Sequence, residues 1–284
     1  MDGIVNIYKP AGITSHSAVN KVRKILGMKK VGHTGTLDPD AEGVLPICVG
    51  KGTKIASLLT DADKAYRAVI RLGIITDTQD ISGEVISHCE PDVTEEVFRE
   101  VVSEFTGKIM QTPPMYSALK VNGKKLCDLA RQGIEVERVA REITIFSIYI
   151  SNFNGVTATL DVSCSKGTYI RTLCHDIGQK LGCGAVMESL VRTKSGRFEI
   201  KDAVSFEEFE KSPEKFVVSP DKMFENLAEY IATADETIKI KNGIRINTKL
   251  KDGQTYRVYS NKGEFLALSY VENDKLIMKT AFFG

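Results

Sequence analysis

Asp38 is the only acid between Asp2 and Asp40. It ends a Gly- and Thr-rich approach, Gly32-His33-Thr34-Gly35-Thr36-Leu37, and Pro39 follows it. Gly32 and Gly35 can take φ > 0 or let a second backbone come close. Pro39 disfavours the α region for Asp38 and pushes it toward an extended conformation. An aspartate held on such a loop and aimed at a cleft is a catalytic arrangement. Gly, Thr, Asp and Pro also build plain turns, so the residue types alone leave both readings open.

Other chemistries fail on spacing. Gly50-Lys51-Gly52-Thr53 looks like the end of a phosphate loop, but position 45 is Leu and position 52 is Gly, where that motif needs Gly and a hydroxyl. A dinucleotide fingerprint would need Gly where Ile55 stands. The six cysteines (48, 89, 127, 164, 174, 183) include no Cys-x-x-Cys, and Cys174-His175 is only an adjacent pair. They read as reduced, structural thiols of a cytoplasmic protein that holds no metal.

Several elements must position Asp38. Ile4 to Tyr8 reads as a short strand, and Ser15 is a plausible N-cap for a helix through Leu26 that buries Val19, Val22, Ile25 and Leu26. Val44–Val49 reads as a strand. Between Lys64 and Gly73, Tyr66, Ala68, Ile70 and Leu72 alternate with Arg67 and Arg71, as in a half-buried strand. Thr94 caps a helix with Val97, Phe98, Val101, Val102 and Phe105 inward, ended by Gly107. The stretch 108–133 has little periodicity, carries Pro113-Pro114, Gly123 and Gly133, and predicts a long mobile loop with one short helix near 128–132. Residues 143–150 and 156–164 predict a hairpin, and Ile170, Leu173, Cys174, Ile177 and Leu181 predict a helix stopping near 182–184.

The 284 residues suit one large domain and a small one, expected at 1–230 and 231–284. The composition is 42% hydrophobic, enough for an ordinary core, with no apolar run long enough to span a membrane and no recognisable secretory signal. The net charge of +1 conceals segregation. Gly3 to Leu37 holds six Lys/Arg and no acid; Lys108 to Arg131 holds five Lys/Arg and one Asp; Ala203 to Glu236 holds nine acids and three Lys. Local basic stretches of this kind suit either a solvated face or a nucleic-acid surface. The acidic stretch reads as helical to about Glu236, followed by short strand-like pieces at 237–240, 256–260, 265–271 and 276–280.

Taken together, six blocks resemble the TruB-type tRNA pseudouridine synthases. They are Lys9-Pro10 with Gly12 and Thr14-Ser15; Gly32 to Pro39; Lys64-Ala65-Tyr66-Arg67; Thr76 to Asp80 with Gly83; Cys164 to Arg171; and Leu190-Val191-Arg192. The resemblance covers roughly 1–200 in consistent order. It implies an α+β fold: a mixed, mainly antiparallel sheet with flanking helices and a central cleft, plus a small C-terminal β-rich, PUA-like RNA-binding domain. It implies isomerisation of the T-loop uridine of tRNA at position 55, in which the N1–C1′ bond breaks, the base turns and C5 rebonds. No electron or phosphate moves in that reaction, so no cofactor is expected.

The resemblance also assigns roles. Asp38 is the catalytic nucleophile or base, Arg171 its charged partner, and Tyr66 stacks on the flipped uracil. On pattern alone Tyr66 equally suits a core tyrosine. Tyr169 and Leu190 line the pocket, His33 fills the space the base leaves, and Asp80 joins the polar network around Arg171. Lys9, the basic face of the helix from Ser15, and Lys120, Lys124 and Lys125 are expected on phosphates, with 108–133 clamping the RNA. The partner is the T-stem-loop of tRNA, with no membrane, guide RNA or protein partner, and the chain is expected to be a monomer. The rivals are a non-catalytic RNA-binding or RNA-folding protein and a guide-directed enzyme acting on another RNA.

Overall fold

The computed structural model describes residues 1–121 and 123–283. Asn122, inside the expected loop, and Gly284, the end of the expected small domain, lie outside the described residues. Among the described residues a nine-stranded sheet forms the body of the molecule. Its main path runs Gly3–Lys9, Glu42–Val49, Ala185–Ser195, Lys64–Leu72, Thr157–Cys164, Arg141–Ser151, Gly107–Gln111. Neighbours are antiparallel except Ala185–Ser195 and Glu42–Val49, which run parallel and meet at Val191 opposite Glu42 and Arg192 opposite Gly43. Gly43 is required at this seam: its φ is +102°, and a Cβ there would lie 2.3 Å from the Arg192 carbonyl oxygen. The seam divides the sheet, and Asp38 sits just before it in the chain.

The alternation in Lys64–Leu72 is realised, with Ala68, Ile70 and Leu72 buried. Strand Thr157–Cys164 alternates in the same way and pairs along its whole length with Lys64–Leu72. Helix Ile170–Leu181 buries Ile170, Leu173, Cys174 and Ile177 and ends at Gly182, whose φ of 79° is the left-handed conformation that stops a helix. These faces merge with Val5, Ile7, Leu45 and Ile47 in one core.

The C-terminal unit is a five-stranded sheet ordered Glu229–Ala232, Thr255–Ser260, Phe265–Glu272, Lys275–Ala281, Ile246–Asn247, with its own core around Ala232, Val258 and Leu266. This is the small β-rich, PUA-like unit expected. A third cluster, including Ile4, Val44, Phe198, Leu268 and Phe282, seals it against the large sheet.

Some local expectations change. The N-cap of helix Ser15–Leu26 is Thr14, whose hydroxyl accepts from the Ser17 amide, not Ser15, which is buried. Helix Glu95–Ser103 ends before Gly107, which opens a strand, and Val97 is exposed. The segment 237–240 is helical, part of Ala234–Lys241, because Thr233 and Glu236 form a capping box. The acidic stretch is no single helix. Pro213 and Pro220 break it into Phe206–Lys211, Pro213–Phe216 and a 3-10 turn Pro220–Phe224. Its last part, Glu229–Ala232, pairs with Thr255–Ser260, so the small sheet begins two residues before the expected boundary.

The stretch 108–133 has more structure than its periodicity suggests. Its start belongs to edge strand Gly107–Gln111, Lys120–Val121 pairs with Lys124–Lys125, and helix Leu126–Ala130 buries Leu126 and Leu129. No described helix is long and apolar enough to cross a membrane.

Candidate active site

The Asp38 loop is braced at every turn. Ser15 Oγ accepts from the Leu37 amide at 2.8 Å and donates to the Leu37 carbonyl at 3.0 Å. The Pro39 carbonyl accepts from the Gly12 amide at 3.0 Å and from Lys9 Nζ at 2.8 Å. On the other side Arg192 donates to the carbonyls of Gly35 (3.2 Å), Thr36 (3.4 Å) and Val44 (2.7 Å). Arg192 is 2% exposed, and backbone oxygens compensate its burial. Sequence reasoning assigned Arg192 no role. The signal was its place two residues after Leu190, on the same face of one strand.

Lys9 corrects an expectation. It has no exposed surface, and its three donors are taken by the carbonyls of Pro10, Ile13 and Pro39. Burial pushes its ammonium down to about 8. It cannot meet a phosphate, and instead it ties the first strand to the backbone immediately after Asp38.

Arg171, the second residue of helix Ile170–Leu181, grips Asp38 at two points: Nε to Oδ2 at 3.0 Å and Nη2 to Oδ1 at 3.3 Å. The Arg171 side chain is 7% exposed and that of Asp38 38% exposed, so the cation lies behind and the acid stays open to solvent. Burial pushes the Asp38 carboxyl above its usual range, while Arg171 opposes the rise and Asp80 adds to it. The remaining donors of Arg171 go to the carbonyls of Thr78 (3.1 Å) and Tyr116 (2.8 Å) and, at 3.5 Å, to Asp80 Oδ2.

Asp80 is itself held. Its Oδ1 accepts from Thr78 Oγ1 at 2.7 Å and from Ser82 Oγ at 2.6 Å. Its loop is fastened to the Leu190 strand, where the Met187 amide donates to the Gln79 carbonyl and the Ile81 amide to the Met187 carbonyl. Thr172 Oγ1 donates to Gln79 Oε1 at 2.8 Å, joining that loop to the Arg171 helix.

Tyr66 stands opposite Arg192 and Leu190 opposite Ala68 across adjacent strands. Leu190 is 8% exposed and Tyr66 packs against the same core. Burial pushes the Tyr66 hydroxyl up; the Arg192 charge opposes this and the Asp38 charge reinforces it. The Tyr169 hydroxyl is also raised by burial, with Asp38 among the contributing charges. His33 Nδ1 accepts from the Gly35 amide at 3.3 Å, and burial, with Arg192 and His16, lowers its basicity and favours the neutral ring.

The fold thus brings Asp38, Arg171 and Asp80 together from separate segments; the Asp38 charge acts on Tyr66 and Tyr169, Leu190 lies on the strand beside Tyr66, and His33 is tied to the Gly35 amide of the Asp38 loop. Lys120, Lys124 and Lys125 are exposed on their paired strands, outside that cluster. A solvent-accessible carboxylate with a buried guanidinium behind it can act as nucleophile or base. Among the described residues no three His, Cys, Asp or Glu side chains come together as a metal site.

Residues 23–170 match the TruB family pseudouridylate synthase N-terminal domain, and 171–238 match the tRNA pseudouridylate synthase B C-terminal domain. The chain is 45% identical over 280 residues to tRNA pseudouridine synthase B of Clostridium acetobutylicum, covering 96% of this chain and 97% of that one. It is 47% identical over 283 residues to the protein of the same name from Alkaliphilus oremlandii, covering 96% and 94%. Among solved structures, a Cbf5-Nop10-Gar1 complex matches at a TM-score of 0.72 and 28% identity, over 99% of this chain and 85% of that one. An H/ACA RNP bound to a substrate RNA containing 2′-deoxyuridine matches at 0.71 and 25%, over 99% and 85%.

Proposed function

From the premise that the chain belongs to the TruB family of pseudouridylate synthases and isomerises uridine to pseudouridine in tRNA, we propose that its target is the T-loop uridine at position 55 and that Asp38 is the catalytic carboxylate. The observation that carries this is the two-point grip of Arg171 on a carboxylate whose side chain stays 38% exposed. Arg171 favours the ionised form of Asp38 and so opposes the burial that favours the neutral one.

The uridine must leave its stack to reach Asp38, at a cost of a few kcal/mol. Tyr66 and Leu190 then hold the base, Tyr169 packs beside it, and His33 fills the gap left in the RNA. With the base held, Asp38 acts at the sugar or the base while N1–C1′ breaks and C5 rebonds. Lys120, Lys124 and Lys125 meet backbone phosphates and position the RNA without reading its sequence. The small C-terminal unit, taken from Glu229, serves as a second RNA contact. The enzyme works as a monomer in the cytoplasm, without guide RNA.

The guide-directed reading has the likeness to the Cbf5-Nop10-Gar1 and H/ACA RNP structures in its favour. The relatives at 45% and 47% identity, named tRNA pseudouridine synthase B, favour the stand-alone enzyme. Pseudouridine mapping on tRNA transcript incubated with purified protein alone decides between them. Conversion of the T-loop uridine is expected; conversion only after guide RNA is added overturns the proposal.

A further inference from the structure

Arg171 is reached from an unexpected direction. The segment that leads from edge strand Gly107–Gln111 into the expected RNA clamp touches the site at two places before it departs. Gln111 is 2% exposed, and its side-chain amide pairs with both backbone atoms of Tyr169. The Tyr169 amide donates to Oε1 at 2.8 Å, and Nε2 donates to the Tyr169 carbonyl at 3.1 Å. Tyr169 is the N-cap of the Arg171 helix and its own side chain caps nothing, so Gln111 fixes where that helix begins. Five residues on, the Tyr116 carbonyl accepts from Arg171 Nη2 at 2.8 Å, the nitrogen that also bonds Asp38 Oδ1. The Tyr116 hydroxyl reaches across to Asp77 Oδ2 at 3.2 Å, in the loop that carries Asp80.

We propose that Gln111 and Tyr116 are positioning residues: they latch the root of the 108–133 segment onto the Arg171 helix, so the segment that clamps the RNA also sets the grip of Arg171 on Asp38. Exposed lysines beyond the root meet the RNA, while the root holds the catalytic pair. Strain on the outer part is thereby passed to Arg171 through a backbone carbonyl and an amide. The inference rests on Asp38 as the catalytic carboxylate.

The test is single-turnover kinetics with tRNA transcript, together with tRNA affinity, for Gln111→Met and Tyr116→Phe. Gln111→Met keeps length and loses both hydrogen bonds; Tyr116→Phe keeps the ring and loses only the bond to Asp77. Each variant is expected to bind tRNA within about twofold of wild type. At saturating tRNA the rate should fall about tenfold for Gln111→Met and about threefold for Tyr116→Phe, each hydrogen bond being worth a few-fold. A role confined to folding would leave the pH profile alone, so the profile is the deciding readout. The charges acting on Asp38 are Arg171 from the helix, Asp80 from its loop, Lys9 from the first strand and Asp40 from its own loop, and the Asp38 charge acts in turn on Tyr66 and Tyr169. Loosening Arg171 removes the main cation, so the acid limb should move to higher pH in both variants.

Weaker binding with an unchanged rate and limb would make the root a mere RNA contact and overturn the proposal. If Gln111→Met fails to fold, Tyr116→Phe decides alone, and an unchanged limb and rate in that variant refute the latch. An inactive wild type would instead refute the functional reading, before any variant is compared.

Discussion

Lys9 Nζ lies 2.8 Å from the carbonyl oxygen of Pro39, so a buried ammonium ties the end of the first strand to the backbone immediately after Asp38. The same nitrogen bonds the carbonyls of Pro10 and Ile13. A charge that reads as a phosphate contact in the sequence is a fastening of the catalytic loop in the fold.

Lys9→Met should therefore destabilise the protein. Three carbonyls lose a charged donor, a cost on the order of 3 kcal/mol. Thermal melting should show this, while the salt dependence of tRNA binding keeps its slope. A flattened slope with an unchanged melting temperature would return Lys9 to the RNA surface.

The acid limb of activity should lie above the ordinary carboxylate range. Burial raises Asp38 and Arg171 opposes that rise. The ionised form is the active one, so the single-turnover rate falls as pH drops through the raised value. Arg171→Lys keeps a cation but loses the planar two-point grip. Its limb should shift to higher pH, with a lower plateau. A limb that does not move on this substitution would remove Arg171 from the control of Asp38.

Much of this arrangement is legible in the chain. The alternation from Tyr66 to Leu72 and the apolar stripe from Ile170 to Leu181 are local patterns, and they form as local patterns predict. What escapes is decided at long range. Thr14 and Ser15 are both good caps, and Ser15 is withdrawn from capping by Leu37. Thr-Ile-Lys-Ile at 237–240 alternates like a strand, yet the capping box from Thr233 to Glu236 makes it helical. Strand Gly107–Gln111 hides because it is an edge strand with Met110 exposed. What Arg192 and Lys9 hold escapes because their partners are backbone oxygens, although both residues stand in the blocks that carry the resemblance.

Tyr66→Phe should keep the fold and slow product formation, since the ring packs against the core and only the hydroxyl is removed. Tyr66→Ala should also cost roughly 3 kcal/mol of stability. Wild-type rates in both variants would make Tyr66 a core residue and nothing more.

Lys120, Lys124 and Lys125 are exposed on their paired strands. Replacing all three with Ala should weaken tRNA binding and flatten its salt dependence, by up to about 0.9 in log–log slope for each duplex phosphate that the variant no longer neutralises. The rate at saturating tRNA should suffer less, because Asp38, Arg171 and Tyr66 stay in place. An unchanged slope would mean that these lysines do not meet the backbone.

The most direct measurement is pseudouridine formation by Asp38→Asn on tRNA transcript, made alongside its tRNA affinity. Asn keeps the shape of the side chain and removes its charge. Binding should persist while product formation falls to background. Turnover near the wild-type rate, with binding intact, would show that the carboxylate gripped by Arg171 is not the catalytic group.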